Sequence, residues 1–134
     1  MEEILRSNQV ELSRLRLIFH DAYLTHDDID DGIRVKENGV NVVVQIDEEK
    51  QLVSLGSLWG FAPQVDHSRR LHIINTLNDT LILVRFSLTS QGHMWCDLHL
   101  PYDEGIIVRA LVQSLKKFAM ISRGAIALNE DEFE

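Results

Sequence analysis

A strand pattern that ends at a proline and restarts as an amphipathic helix most restricts the fold of this chain. It occupies residues 93–123, HMWCDLHLPYDEGIIVRALVQSLKKFAMISR. Alternating residues before Pro101 predict one strand face, namely Met94, Cys96, Leu98 and Leu100. Residues at helical spacing beyond it predict one stripe, namely Ile107, Leu111, Ser114, Phe118 and Ile121, with Asp103 and Glu104 at the helix start. The junction therefore predicts the end of an α+β domain, whose last helix is a packing or dimer element.

The remaining elements follow from periodicity and turn signals. Residues 33–37 and 40–46 alternate around Asn38-Gly39, a pair typical of a tight hairpin turn, and a third strand follows at Leu52–Trp59, where Gly56 and Gly60 indicate a bulge or bend. A first helix is predicted to open at Asn8 with Glu11 reaching back, and a second to be capped by Asp66. Ile82, Val84, Phe86 and Leu88 predict a fourth strand. The order is α-β-β-β-α-β-β-α, a mainly antiparallel sheet packed by helices in a single domain, residues 1–128, followed by a short acidic tail, residues 129–134.

Size and charge narrow the classes of protein. A chain of 134 residues with 45% apolar residues can bury a core without a metal or disulfide, and the single cysteine, Cys96, has no internal partner. The net charge of −8 opposes binding to phosphate backbones, so no nucleic-acid partner is expected. No apolar run reaches the roughly 20 residues that span a bilayer, and the acidic start MEEILRSNQVELSRLR does not resemble a secretory signal. We therefore expect a cytoplasmic protein with no membrane partner.

Two groups of polar residues invite a metal site. In the acidic stretch THDDIDDG, residues 25–32, the spacing does not match a calcium loop, because Ile29 takes the third position and Asn38 the twelfth. A solvated polar loop is the favoured interpretation. On the fifth strand, His93, Asp97 and His99 share a face with Trp95 and could contribute to a zinc site. Since no further ligands are indicated, a polar strand face is favoured and no metal or cofactor is predicted.

No arrangement of residues predicts catalysis. Cys96 alternates with Met94 and Leu98, which indicates a buried and inert thiol. The serines lie outside any nucleophile-elbow motif, and no glycine-rich phosphate loop follows a strand. The sequence therefore predicts a non-enzyme.

Three aromatic residues are candidates for contact with another chain. Trp59 and Phe61 flank the end of a glycine-interrupted strand, and Trp95 lies on the polar strand face. Large aromatic side chains contribute much of the energy of protein interfaces, although burial beneath a helix is the alternative for each. We predict Trp59, Phe61 and Trp95 as protein-binding residues.

The pattern as a whole resembles the YbjN-like family, described as bacterial sensory-transduction regulators. The resemblance covers residues 8–123 and rests on the acidic loop ending at Gly32, the NG hairpin, LWGF, INTLN and DLHLPYDEG, with Asn75, Leu77 and Asn78 as the most telling positions together with Leu100-Pro101. Such domains are similar in fold to type III secretion chaperones, which are dimers that hold extended client segments without catalysis. The resemblance thus implies a polypeptide partner or client and a homodimer.

Two functional hypotheses follow. The first is a non-enzymatic protein-binding module, chaperone-like or a regulatory adaptor, which contacts its partner through strand edges or a groove. The second is a small-molecule- or metal-responsive sensor or enzyme that uses the face of His93, Asp97 and His99 or the acidic loop from Asp27 to Asp31. A purely structural role in a larger assembly is not separable from the first by sequence.

Overall fold

The computed structural model describes residues 3–134. In chain order the elements are β1 Ile4–Leu5, α1 Leu12–Asp21, β2 Thr25–Ile29, β3 Gly32–Glu37, β4 Val40–Asp47, β5 Leu52–Trp59, α2 His67–Thr80, β6 Arg85–Leu88, β7 Met94–Pro101, β8 Ile106–Ile107 and α3 Val108–Leu128. Single 3-10 turns occupy Ser7–Gln9 and Glu130–Glu132. The predicted α+β class and its order of elements are confirmed, with three strands added to the pattern: β1 before α1, β2 directly after α1 and β8 directly before α3.

One antiparallel sheet organises the molecule. Its six strands run in the order β2-β3-β4-β5-β7-β6, while β1 and β8 form a separate short pair. The meander from β2 to β5 pairs neighbour with neighbour, and α2 then carries the chain past β7 to the far edge. β7, which follows β6 in the chain, therefore lies between β5 and β6. It pairs with β5 along the whole of Leu52–Trp59.

Local turn and cap signals were predicted correctly where they act over a few residues. The hairpin between β3 and β4 turns on Asn38 and Gly39, both with positive φ, at 51° and 75°. At the start of α2, the Asp66 carboxylate accepts a hydrogen bond of 2.9 Å from the Arg69 backbone N–H. The third predicted strand coincides with β5.

The prediction of a solvated loop at residues 25–32 is wrong. These residues form β2, a two-residue turn at Asp30 and Asp31, and the start of β3. Side chains alternate along β2, so Asp27 and Asp28 point to opposite faces, where Arg34 and Arg16 pair with them at 2.6 and 2.7 Å. Paired in this way, the carboxylates no longer repel one another within one strand.

Three other local predictions differ from the structure. The first helix begins at Leu12 rather than Asn8, which lies in the preceding 3-10 turn. The fourth strand begins only at Arg85, because Leu83 takes a φ of 75° and leaves Ile82 exposed outside the sheet. The third helix begins at Val108, so Asp103 and Glu104 lie in the turn before β8 rather than in the first helical turn. Of its predicted stripe, Leu111 and Phe118 are buried, and they are joined by Leu115, Ala119, Ser122, Ala125 and Ile126.

The core lies between the sheet and the helices. Alternate strand residues face α1 and α3 and are buried, namely Ile33, Val35, Val40, Val42, Val44, Val53, Leu55, Met94 and Cys96. Leu15 and Phe19 of α1 and Leu111 and Phe118 of α3 complete this layer. Residues 129–134, the predicted acidic tail, run back along the end of β5, where Phe133 is buried against Phe61 while acidic neighbours stay exposed.

Candidate functional site

The outward side of the sheet differs from the helix-covered side in burial and chemistry. Its side chains, which we call the open face, are Thr25, Asp27, Ile29, Gly32, Arg34, Lys36, Asn41, Val43, Gln45, Asp47, Leu52, Ser54, Gly56, Leu58, Arg85, Ser87, Trp95, Asp97, His99 and Pro101. Most of these positions are exposed or half-buried, in contrast to the alternate residues that face the helices. Leu58 is 57% exposed near the end of β5, a strand whose inward residues Val53, Leu55 and Ser57 are buried.

The strand register brings one residue of each strand into a row across the open face. The row runs Asp27, Arg34, Val43, Gly56, Asp97 and Arg85 from β2 to β6. Asp27 and Arg34 form an ion pair at one end, and Asp97 and Arg85 form another at the opposite end. Between the pairs lie Val43 and the small Gly56. The row is therefore apolar in its centre and charged at both ends.

Trp95 fills the space above Gly56. A Cβ built on Gly56 would lie 2.2 Å from Cζ2 of the indole, so only glycine leaves room for the ring. Instead of the predicted bulge or bend, Gly56 lies in a regular part of the strand and Trp95 covers it. The indole Nε1 donates a hydrogen bond of 3.1 Å to Oδ2 of Asp97, which fixes the orientation of the ring. Trp95 and its neighbour Leu58 across the strands form the apolar centre of the open face.

Asp97 is the most buried charged group of the open face, at 4% exposure. Its carboxylate accepts hydrogen bonds from Nε and Nη2 of Arg85 at 3.0 and 2.7 Å, and His99 Nε2 lies 3.6 Å from Oδ2. This hydrogen bonding to Asp97 raises the pKa of Arg85, so the guanidinium stays charged. The buried carboxylate is thus matched by a permanent cation.

The residues nominated for a metal are only partly brought together. Asp97 and His99 are adjacent, but His93 lies in the β6–β7 turn, where its backbone N–H donates to Thr89 Oγ1 at 3.0 Å. Both oxygens of Asp97 already accept from protein donors. Among residues 3–134 no group of three His, Cys, Asp or Glu side chains is arranged to hold a metal ion. The geometry is that of a polar, hydrogen-bonded strand face.

The other two predicted protein-binding aromatics lie away from the open face. Trp59 is half-buried at the end of β5, and its Nε1 donates to Ser57 Oγ at 2.9 Å. Phe61 is 3% exposed, stacked on Phe133 with ring centroids 4.6 Å apart and capped by the guanidinium of Arg70. Trp95 is thus the predicted aromatic that the fold directs to the open face.

Cys96 lies directly beneath the sheet, on the side opposite Trp95 and Asp97. Burial raises the pKa of its thiol to about 12, although hydrogen bonds with Ser57 and Ser122 partly offset this. A thiol with such a pKa remains protonated at neutral pH and is a poor nucleophile. The buried thiol expected from the sequence is confirmed.

The two edges of the sheet differ in their access to a partner strand. Along β6, the Asn78 side chain donates from Nδ2 to the Phe86 carbonyl at 2.9 Å and accepts from the Phe86 N–H at 3.0 Å. A neighbouring strand would make the same two bonds, so this edge is closed at its centre. Along β2, the edge carries Asp27 and Asp28, and charged side chains discourage strand addition. The open face, with its exposed Leu58, is therefore a better candidate for contact than either edge.

Sequence reasoning did not identify Arg85, Gly56 or Asn78 as site residues. Gly56 was noted only as an irregularity, and Asn78 only as one of the positions that carry the family resemblance. The useful signal for Gly56 is a glycine within a strand of alternating large residues, which indicates close approach by another group. Arg85 gave no local signal, because its partner Asp97 is brought opposite by the β6–β7 register.

Comparison with known proteins gives a consistent result. The family model described as "YbjN: Putative bacterial sensory transduction regulator" matches residues 1–126. The fold is similar to the "Crystal structure of YbjN, a putative transcription regulator from E. coli", with TM-score 0.79 and 10% identity, over 97% of this chain and 98% of that one. It is also similar to a chain of the "Structure of the HopA1-SchA Chaperone-Effector Complex", with TM-score 0.56 and 16% identity, over 86% and 96% of the two chains. A search of curated proteins found no match.

Proposed function

Because the chain belongs to the YbjN family, whose model matches residues 1–126, we propose that it is a non-enzymatic protein-binding module that holds a polypeptide partner on its open face. The family description supports a regulatory role, and the fold shared with a chain of a chaperone–effector complex supports a polypeptide as the partner. The module would act as a regulatory adaptor or as a chaperone-like holder of a client.

The open face carries this proposal. Its centre presents Trp95, Leu58 and Val43 on a rigid antiparallel sheet, and its rim is charged. An apolar centre with a polar rim is the usual composition of a protein interface, and tryptophan is enriched among the residues that contribute most. The strand edges are less suitable, because Asn78 occupies the backbone of Phe86. Docking on the face therefore replaces strand addition as the expected mode.

The chemistry of the polar side chains favours binding over catalysis. Asp97, the buried carboxylate, is neutralised by Arg85 and held by Trp95, and the Cys96 thiol has a pKa of about 12. A general base or nucleophile needs a free and reactive form near neutral pH. The same contacts of Asp97 weigh against the sensor or enzyme hypothesis for His93, Asp97 and His99.

Site-specific photo-crosslinking tests the proposal. A photoreactive amino acid is placed at Leu58 on the open face or, as the control, at Met120 on α3, because the two side chains are 57% and 58% exposed. After irradiation of bacterial cells, we expect the same polypeptide to be attached repeatedly at Leu58 and not at Met120. Equal labelling at both positions, or none at Leu58, contradicts the proposal.

Two further features belong to the same proposal, a homodimer and a cytoplasmic location. Apolar side chains outside the open face, Ile82 and Leu83 at 80% and 60% exposure, support self-association. Light scattering across a concentration series should give twice the mass of the chain, and a monomer at high concentration rejects the dimer.

None of the helices in residues 3–134 is long and apolar enough to cross a membrane. Cell fractionation tests the location.

A further inference from the structure

Beyond Trp59 the chain leaves the sheet. Its pairing with β4 ends at Gly56 and its pairing with β7 ends at Trp59, so neither strand pairs with residues 60–62. The backbone of residues 60–62 pairs instead with residues 132–134 of the same chain. We call residues 60–62 together with Arg69 the strand-end site. This site is a short strand edge, and a segment of the protein itself occupies it.

Residues 132–134 contact the backbone of this site as a bound peptide would. The Ala62 N–H donates to the Glu132 carbonyl, and the Glu134 N–H donates to the Gly60 carbonyl, both at 2.9 Å. The two bonds lie on either side of the central residue of the segment. Main-chain hydrogen bonds that flank an anchoring side chain are the contacts by which an extended peptide adds to a strand edge.

Two side chains of the segment have specific partners in the site. The Phe133 ring stacks on Phe61 with ring centroids 4.6 Å apart, and only 8% of Phe133 is exposed. The Glu132 carboxylate accepts hydrogen bonds from Nε and Nη2 of Arg69 at 3.0 and 2.8 Å. The site therefore recognises an aromatic residue that directly follows an acidic one.

The segment is attached less extensively than the strands of the sheet. It makes a single bridge to the strand-end site, whereas β5 pairs with β7 along the whole of Leu52–Trp59. The turn that leads into it, Glu130–Glu132, has no buried residue. A segment with few buried contacts opens at a smaller free-energy cost than the core. Opening uncovers Phe61 and frees the Ala62 N–H, and another chain that makes the same contacts can satisfy both.

We propose that the strand-end site also binds an extended segment of a partner polypeptide, in which an aromatic residue follows an acidic one, in exchange for residues 132–134. The aromatic ring would stack on Phe61, the carboxylate would bind Arg69, and the partner backbone would take over the hydrogen bonds of the displaced segment. Phe61, predicted as a protein-binding residue, would then anchor the partner. The site is separate from the open face, so this inference does not depend on what the open face binds.

A synthetic peptide with the sequence of residues 130–134, EDEFE, tests the exchange. Binding to isotope-labelled protein is followed by NMR, and the Ala62 amide signal should shift. The peptide should bind Phe133→Ala at least about tenfold more tightly than the unaltered protein, because the segment of the variant has lost its anchor and competes poorly. The matched peptide EDEAE lacks the aromatic ring and should bind neither protein measurably.

A change of charge tests the role of Arg69. In the Phe133→Ala background, the peptide EDKFE should bind about threefold more weakly than EDEFE, because it lacks the partly exposed ion pair with Arg69. Arg69→Glu should reverse this preference. Arg14→Glu is the control, since Arg14 is exposed on α1 outside the strand-end site, and this variant should still prefer EDEFE.

Glu132→Gln keeps the test decisive if Phe133→Ala does not fold. It retains the Phe133 ring and removes the ion pair with Arg69, so it should bind EDEFE about threefold more tightly than the unaltered protein does. The inference is overturned if neither variant binds EDEFE more tightly than the unaltered protein. Binding of EDEAE as tight as that of EDEFE overturns it as well.

Light scattering distinguishes a separate partner from a second copy of the chain. If residues 132–134 were exchanged between two copies, loss of the Phe133 ring would weaken the dimer. We expect equal masses for the unaltered protein and Phe133→Ala, since each chain fills its own site. A dimer that is lost only in Phe133→Ala would assign the site to a second copy and overturn the inference. Photo-crosslinking at Leu58 tests the open face separately.

Discussion

Trp95 depends on its immediate neighbours for its position on the open face. Gly56 leaves the space that the ring occupies, and Asp97 accepts a hydrogen bond from the indole N–H. Because the ring contacts the strand backbone directly, any side chain at Gly56 must move it. The apolar centre of the open face therefore exists only while residue 56 is glycine.

Substitution of two glycines should change stability in opposite directions. Gly56→Ala puts a Cβ against the Trp95 ring and should lower the free energy of unfolding by about 1–3 kcal/mol, as overpacking does. Gly124→Ala, at an exposed position in the C-terminal part of α3 with nothing within 4 Å, should raise it by about 0.5–1 kcal/mol. Chemical denaturation measures both changes. In a Trp59→Phe background the fluorescence of Trp95 should shift only with Gly56→Ala, and an unchanged spectrum contradicts the seating of the ring.

Cys96 should make the stability of the protein fall in alkaline solution. Its thiol has the ordinary cysteine pKa of 9.0 in the unfolded chain and a pKa of about 12 in the folded protein. Between these values the unfolded chain releases a proton that the folded protein retains, so unfolding becomes easier as the pH rises from 9 towards 12. Below pH 9 the protonated thiol has no such effect.

The measurement compares the unaltered protein with Cys96→Ala. Lysines and tyrosines titrate equally in the two proteins, so their contribution cancels in the comparison. The difference between their free energies of unfolding should narrow by up to about 1.4 kcal/mol per pH unit above pH 9. Labelling by a thiol reagent at pH 8 should require unfolding. A constant difference across this range, or rapid labelling of the folded protein, is inconsistent with the buried thiol.

At the scale of elements, the Asn78 side chain connects α2 to β6 by hydrogen bonds. Asn78 makes two hydrogen bonds with the backbone of Phe86, from the last turns of α2 to the middle of a four-residue edge strand. The strand is short, and its other edge pairs with β7. The Asn78 amide therefore both holds β6 against α2 and closes the sheet edge.

Asn78→Ala should loosen this edge. Loss of both bonds leaves polar backbone groups of Phe86 without a partner and should lower stability by about 1–3 kcal/mol. Amide hydrogen exchange should show faster exchange at Phe86, which now donates to solvent. Asn75→Ala is the control, because Asn75 is exposed on the same helix. If the Phe86 amide stays equally protected in Asn78→Ala, the closure of the edge has another cause.

Sequence signals predicted those elements whose stability is local. The alternation of β3, β4, β5 and β7, the Asn38-Gly39 turn and the Asp66 cap each depend on a few consecutive residues, and all are confirmed. β2 was missed because its carboxylates are neutralised by Arg16 and Arg34, which come from other elements. Alternation at Ile82 was misleading, because Leu83 turns the chain away from the sheet.

The open face could be predicted only in part, for the same physical reason. Alternation along one strand correctly placed Trp95, Asp97 and His99 on one side. The ion pair of Asp97 with Arg85 and the seat on Gly56 require β7 to lie between β5 and β6, an order that no local pattern contains. Cross-strand partners depend on topology, so the charged ends of the row became evident only in the folded molecule.

At the scale of the whole molecule, the two ends of the described chain pack onto distant elements. β1 pairs with β8 at the start of α3, and the Glu134 N–H donates to the Gly60 carbonyl at 2.9 Å. The Ala62 N–H likewise donates to the Glu132 carbonyl at 2.9 Å, so residues 132–134 extend the backbone pairing beyond β5. The segment predicted as a tail thus covers Phe61 and connects α3 to the end of β5.

Phe133→Ala should therefore destabilise the whole domain rather than only its last residues. Phe133 is 8% exposed and stacks on Phe61, so its loss uncovers a second buried ring and should lower the free energy of unfolding by about 3 kcal/mol. Leu128→Ala, at a side chain that is 63% exposed, should change it by no more than about 0.5 kcal/mol. Thermal and chemical denaturation, followed by circular dichroism, measure both. A single unfolding transition at lower denaturant is expected for Phe133→Ala, because Phe61 belongs to the common core. Equal stability of the two variants would mean that the C-terminal residues do not close the core.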